Sequence, residues 1–150
     1  MELIVFCGIP ASGKTTFYRE RFLATHVRVS LDLLKTRQRE DILLHACLAA
    51  QQPVVIDNTN PLASQRTRYV RLAKAAGFRS VLYFFDVSTR TAVGRNAGRE
   101  GKARVANVAI FGSQKKLQRP TAAEGFDEIF RVTTGDADAP AAFVVEPWRE

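Results

Sequence analysis

The chain has 150 residues, 46% hydrophobic and 25% charged, with a net charge of +7. A chain of this size buries about 70% of its unfolded surface, which is enough for one domain with a true core. Its apolar runs are about four to six residues long, too short to span a bilayer, and its two cysteines form neither a metal pattern nor a disulfide framework.

Residues 3–7 (LIVFC) form an apolar run that ends in glycine, so they predict a buried parallel strand. The opening MELIVFCGIP lacks a basic n-region and reads as that strand, not as a signal peptide. A helix is expected over 14–24, with Phe17, Arg21 and Leu23 inward, then a short strand at 27–30 (VRVS). A helix over 31–50 follows, with Leu34, Ile42, Leu43, Cys47 and Leu48 on its apolar side. Cys7 and Cys47 are expected as small core residues, with a reducing cytoplasm as the default location. Pro53 ends this region, and 54–57 is the third strand.

In the next helix Asn60 is placed to cap, Pro61 to occupy the first turn and Gly77 to close the last. Arg66, Arg68, Arg71 and Lys74 are expected on its polar sides. A strand at 80–87 and a helix at 89–97 follow, then the charged segment REGKAR (99–104). The remaining elements are a helix at 105–118, a strand at 128–133, the acidic turn GDADAP (135–140) and a last strand in AAFVVEP. Strand–helix alternation throughout predicts an α/β fold of three layers, a mostly parallel central sheet flanked by helices.

Residues 8–16 (GIPASGKTT) match G-x-x-x-x-G-K-[ST] through Gly8, Gly13, Lys14 and Thr15, between a buried strand and a helix. Gly8 and Gly13 permit backbone torsions that let successive N–H groups converge on phosphates. The whole loop, with Ile9, Pro10, Ala11, Ser12 and Thr16, is therefore the expected ATP site. Lys14 is placed to reach the β- and γ-phosphates, Thr15 to ligate Mg²⁺, and the helix dipole to favour the same oxygens.

A phosphate loop does not name the acceptor. That depends on the other loops at the carboxyl ends of the strands. Asp32 and Lys35 follow the second strand, the D-N-T-N of residues 57–60 follows the third, and Arg95, Asn96 and Arg99 follow the fourth. Phosphoryl transfer to a hydroxyl needs a carboxylate beside the attacking oxygen and positive charge on the transferring group. Arg95 and Arg99, four apart on a helix, face one way. Such a pair is commonly just a solvated face, but beside a charged, Gly-containing segment it suggests a small mobile lid over about 95–118. Residues 61–119 hold thirteen Lys and Arg against two acids, Asp86 and Glu100. This asymmetry suggests a polyanionic partner, the alternative being a basic face kept for solubility.

The set GIPASGKTT, V-S-L-D, VVIDNTNPLASQRTRYVRLAKAAG, GRNAGR and FGSQKKLQRPTAAEGF resembles the kinase domain of polynucleotide 5′-hydroxyl kinases, above all the kinase half of polynucleotide kinase/phosphatase repair enzymes. The resemblance covers about residues 3–133; IDNTNP with its basic helix and PTxAEGF are its more specific parts. It implies a single P-loop kinase domain over 1–150, with ATP and Mg²⁺, that phosphorylates 5′-OH ends of DNA or RNA, and no membrane or obligate protein partner.

By position the resemblance implies that Asp32 is the general base, Arg99 the lid arginine and Arg95 its support. It puts Asp57 with Asn58, Thr59 and Asn60 on the acceptor side, an indirect contact of Asp57 to Mg²⁺ through water being left open. Lys35 stands where some relatives carry an arginine that grips the acceptor's phosphate, so charge is kept but the bidentate fork is lost. Leu31 replaces a basic residue of the usual N-R-D. No D-x-D-G-T motif occurs, so the 3′-phosphatase activity often fused to this domain is not expected from this chain. Two other functions stay open: a small-molecule kinase acting on a sugar acid, nucleoside or nucleotide sugar, and a non-catalytic ATP-binding module. Indifference to oligonucleotide competitors would mark the first, and intact ATP binding without turnover the second.

Overall fold

The apolar run LIVFC becomes the strand on which the fold is built. β1 (Glu2–Cys7) is buried from Leu3 onward and pairs in parallel with β3 (Val54–Ile56) on one side and β4 (Arg79–Phe85) on the other. β2 (Val27–Val29) pairs in parallel with β3, β5 (Glu128–Thr134) in parallel with β4, and β6 (Phe143–Pro147) antiparallel with β5. The computed structural model describes residues 1–101, 104–134 and 143–150, and in them the sheet order is β2-β3-β1-β4-β5-β6. Val5 lies opposite both Ile56 and Leu82. The loops that leave β1, β3 and β4 therefore emerge side by side at one edge, where open α/β sheets bind ligands.

The strand period of two sorts β1 onto two cores. Leu3, Val5 and Cys7 pack with Leu44 and Leu48 of α3 (Arg37–Ala49) and with Tyr69 and Ala73 of α4 (Ala63–Ala75). Ile4 and Phe6 pack on the other face with Phe17 and Tyr18 of α1 (Lys14–Arg21). That second core is aromatic: the Phe17 ring stands edge-on to Phe6, Phe85 and Phe143, with centroids 5.8, 5.3 and 5.2 Å away. Each such pair adds about 0.5–1.5 kcal/mol beyond the area it buries. Under the phosphate loop, Ile9 and Ala11 pack with Ala92 of α5 (Thr89–Ala97) and Ile110 of α6 (Asn107–Lys116). Cys7 and Cys47 are buried as expected, and burial pushes the Cys7 thiol up to about 11, so it is no nucleophile.

The expected helix over 31–50 is two helices. The short α2 (Leu31–Leu34) stops at Lys35, whose φ of 72° leaves the helical region, and α3 restarts with Thr36 as its cap, accepting the Arg39 N–H at 3.2 Å. α1 ends before Leu23, which is 64% exposed, and Arg21 lies outside with its guanidinium over the Phe17 ring. Ile42 faces solvent, and Leu44 takes the core position.

α4 begins at Ala63, not at Asn60: Gln65 Oε1 accepts the Leu62 N–H, closing the first turn from inside the helix. Gly77 ends α4 with φ 73°, as its position predicts. The turn GDADAP, and Lys102 and Ala103 of REGKAR, lie outside the described residues. No described helix is long and apolar enough to cross a membrane.

Candidate active site

The loop between β1 and α1 is shaped by what its glycines meet. A Cβ on Gly8 would stand 2.8 Å from Phe85 Cβ; Gly13 has φ 98°, and a Cβ there would meet Arg95 Nη1 at 2.7 Å and Phe143 Cε1 at 3.0 Å. Arg95 therefore lies against the phosphate loop itself. Ala11 also takes a left-handed torsion, φ 62°, a strained setting for a residue with a Cβ. The Gly8 N–H donates to the Thr59 carbonyl at 3.0 Å, so the loop after β3 braces the loop after β1.

Lys14 folds back over this loop. Its ammonium donates to Gly8 O at 3.0 Å, Ile9 O at 2.8 Å and Ser12 Oγ at 3.4 Å, and the residue is 8% exposed. Burial pulls its pKa down from 10.5 to about 8, opposed by the nearby charges of Asp57 and Asp32 and assisted by that of Arg99. Four of the predicted site residues thus share one electrostatic neighbourhood, although they come from four segments of the chain.

Thr15 Oγ1 donates to Asp57 Oδ2 at 3.0 Å, and the same carboxylate oxygen accepts the Nε–H of Arg28 at 2.7 Å. Hydroxyl and carboxylate oxygens side by side suit a hard cation such as Mg²⁺. Among the described residues no group of three or more His, Cys, Asp or Glu gathers to hold a metal. This corner therefore fits a cation that arrives with nucleotide phosphates rather than one caged by protein. Asp57 is 5% exposed, and its carboxylate is turned to Thr15 and Arg28 beside the phosphate loop.

The rest of D-N-T-N bonds to neighbouring segments of the chain. Asn58 Oδ1 accepts the Leu31 N–H at 2.8 Å and its Nδ2 donates to Glu40 at 3.1 Å, which ties the start of α2 to α3. Asn60 is 2% exposed and donates to Phe6 O at 2.8 Å. Its Oδ1 is buried without a hydrogen-bond partner among the described residues. Thr59 lends its carbonyl to Gly8. Asp32 in the first turn of α2, Lys35 at its end and Thr16 on α1 are exposed at the same edge. Arg99 follows α5 and is half-buried.

Several contributors escaped the sequence reading. Arg28 is a lone charge between two valines of β2, which is its only signal. Glu40 is fully buried beneath Tyr69 OH, Arg37 and Asn58, yet on paper it is one acid in a charged helix. Asn96 was noticed beside the arginines but given no role; it is 1% exposed, donates to Val105 O at 2.6 Å and accepts the Val105 N–H at 2.9 Å, fastening the entry to α6 onto α5.

A mostly parallel sheet with a phosphate loop after its central first strand, and Lys14 and Thr15 at the head of the next helix, defines a P-loop kinase-like domain. A family model described as an AAA domain matches residues 3–121, and the chain belongs to that family. It is 27% identical over 135 residues to a bifunctional polynucleotide phosphatase/kinase of Schizosaccharomyces pombe, covering 87% of this chain and 33% of that protein. The chain thus spans about a third of the length of the curated relatives it matches. Among solved structures it is similar to Chaetomium thermophilum Kti12 in complex with ADP-AlF3, with TM-score 0.61 and 19% identity over 87% of this chain and 88% of that one. A gluconokinase from Sinorhizobium meliloti 1021 has TM-score 0.61 and 18% identity over 90% and 83%. These two structural likenesses carry the fold alone.

Proposed function

We propose that this chain transfers the γ-phosphoryl group of ATP to the 5′-hydroxyl end of a nucleic acid, as one domain with a lid over about 95–118. The observation that carries the kinase reading is the phosphate loop itself, with the Lys14 ammonium folded onto the Gly8 and Ile9 carbonyls and the Thr15 hydroxyl bonded to Asp57 beside it. The nucleic-acid acceptor is favoured by the similarity to a polynucleotide phosphatase/kinase and by the basic 61–119 segment. On α4 that segment leaves Arg71 and Lys74 exposed, and on α6 Lys115 and Lys116, charges that suit a phosphodiester backbone.

In this reading the phosphate loop and the N-terminus of α1 hold the β- and γ-phosphates, and Lys14 swings from its carbonyl contacts to them. Asp32 accepts the proton of the 5′-hydroxyl as that oxygen bonds to the γ-phosphorus and the bond to the ADP oxygen breaks. Because the transition state is loose, placement of the carboxylate matters more than its basicity. Arg99, with Arg95 behind it, sets positive charge on the transferring oxygens and keeps water out. Thr15 and Asp57 are the residues that would hold a Mg²⁺, which would supply charge neutralisation at the phosphates. Lys35 faces the acceptor.

The test is transfer from γ-labelled ATP to a panel of 5′-OH DNA, 5′-OH RNA, nucleosides and sugar acids. Label on oligonucleotide ends, removed by a phosphatase, supports the proposal. Label on the small molecules alone overturns it.

A further inference from the structure

Thr15 Oγ1 and Asp57 Oδ2 are the two oxygens this site presents to a divalent cation, and Arg28 holds both. Its Nε–H donates to Oδ2 at 2.7 Å and its Nη2–H to Oγ1 at 3.3 Å, while the two oxygens are themselves bonded at 3.0 Å. The Asp57 side chain is 2% exposed and that of Arg28 25%, so the carboxylate is sealed behind a cation that still reaches water. The arrangement is set by strand pairing and not by a flexible loop. Arg28 lies opposite Val55, and the Asp57 N–H donates to the Val29 carbonyl at 2.8 Å, which locks the start of the D-N-T-N loop to β2.

We propose that Arg28 is a positioning residue that serves as the resident counter-charge of this corner and bars a divalent cation that does not arrive on nucleotide phosphates. The inference rests on Thr15 and Asp57 being the metal side of a kinase site. Guanidinium stays charged at any working pH and therefore always neutralises Asp57. A free aqueous Mg²⁺ gives up its waters reluctantly, and here it finds one carboxylate already paired.

A cation carried by a polyphosphate brings its own negative ligands and needs only the Thr15 hydroxyl. That oxygen has one proton, donated to Asp57, and two lone pairs. Arg28 engages one of them through the longer of its two bonds. The cation can therefore take its place at Thr15 while the shorter Arg28–Asp57 bond stays and keeps the hydroxyl aimed.

Manganese binding to the nucleotide-free protein tests this, read by electron paramagnetic resonance as free Mn²⁺ disappears. Wild type is expected to take up no stoichiometric Mn²⁺ at micromolar concentration, yet to bind Mn²⁺ once ADP is added. Arg28→Gln is expected to bind Mn²⁺ without nucleotide at least about tenfold more tightly than wild type, and Arg28→Gln with Asp57→Asn is expected to lose that gain. Equal uptake by wild type and Arg28→Gln overturns the proposal, as does a gained site that survives Asp57→Asn. If Arg28→Gln does not fold, wild type still decides: one-to-one Mn²⁺ binding at micromolar concentration without nucleotide is incompatible with a resident counter-charge. No acceptor enters the assay, so the outcome is independent of whether phosphoryl transfer goes to 5′ ends.

Discussion

Arg66 and Glu124 form a two-pronged ion pair inside the protein, Nε to Oε1 at 2.6 Å and Nη2 to Oε2 at 2.9 Å. Their side chains are 0% and 4% exposed. Arg66 was expected on a polar side of α4. Instead it points inward, and its Nη1 also donates to the Asn60 and Pro61 carbonyls at 3.0 Å each. One guanidinium thus joins α4, the end of the D-N-T-N loop and the 3₁₀ turn Ala122–Glu124 that leads towards β5. Glu124→Ala leaves a buried cation without its partner, which costs about 3–5 kcal/mol, and the same is expected of Arg66→Ala. Urea denaturation checks this. A loss below about 1 kcal/mol for both would show that water reaches the pair.

Lys14 gives the site a pH dependence of defined sign. Its pKa of about 8 in the folded protein lies below the ordinary 10.5. Between those values the unfolded chain binds the extra proton, so the stability of the nucleotide-free protein rises with pH across that window. Nucleotide reverses the balance, because phosphate oxygens favour the charged ammonium and draw a proton onto Lys14 as they bind. ATP affinity should therefore fall as pH rises through about 8, to about tenfold weaker at pH 9 than at pH 7. Calorimetry above pH 8 should show proton uptake as a dependence of the binding heat on the buffer. Lys14→Met should bind more weakly and lose the pH dependence; a pH-independent wild type would mean that Lys14 stays fully charged.

The parts of this molecule that were legible in the sequence have local causes. LIVFC reads as a buried strand because both of its faces are apolar, and GIPASGKTT as a phosphate loop because glycine spacing and a following helix are properties of one short segment. Gly77 closes α4 for an equally local reason. What escaped was long-range pairing of charges. Nothing near Arg66 indicates that its partner lies at Glu124, so its amphipathic position could only be read as solvent-facing. The bonding of the D-N-T-N loop is hidden in the sequence for a related reason. Its polar side chains suggest a ligand, but Asn58 accepts the Leu31 N–H and Asn60 donates to the Phe6 carbonyl, groups brought close by the sheet, while Asn60 Oδ1 is buried without a partner among the described residues. The break at Lys35 depends on a residue of ordinary helix propensity leaving the helix, a choice made by the tertiary fold.

In the proposed mechanism Asp32 and Arg99 act on different partners, and their substitutions should separate. Asp32 is exposed in the first turn of α2 and is held through the Asn58–Leu31 bond, outside the phosphate loop. Asp32→Asn should lower kcat about 10²–10⁴-fold, the usual range for a lost general base, with ATP affinity nearly unchanged. Arg99→Ala should lower kcat about 10²–10³-fold, as loss of one charge on a transition state does, and change the KM for acceptor little. Steady-state kinetics with direct measurement of nucleotide binding distinguishes them. Wild-type turnover by Asp32→Asn would remove it as base, and a change confined to KM would make Arg99 a binding residue.

The two loop glycines should fail in different ways. A Cβ on Gly8 would stand 2.8 Å from Phe85 Cβ and 3.2 Å from the Phe85 carbonyl, neighbours anchored in β4. β1 and β4 cannot separate without breaking the central sheet, so Gly8→Ala should lower the melting temperature even without nucleotide. At Gly13 the nearest atom is Arg95 Nη1, the end of a flexible side chain, which can move aside. The remaining costs there are the close Phe143 ring, at 3.0 Å, and the left-handed torsion, about 1–3 kcal/mol. Its displacement of Arg95 falls on the nucleotide site, so Gly13→Ala should weaken ATP binding more than Gly8→Ala does, relative to the stability each loses. Thermal melts with and without ATP compare the two directly. If Gly13→Ala kept the full ATP-induced stabilisation of wild type, Arg95 would have no part in holding the nucleotide.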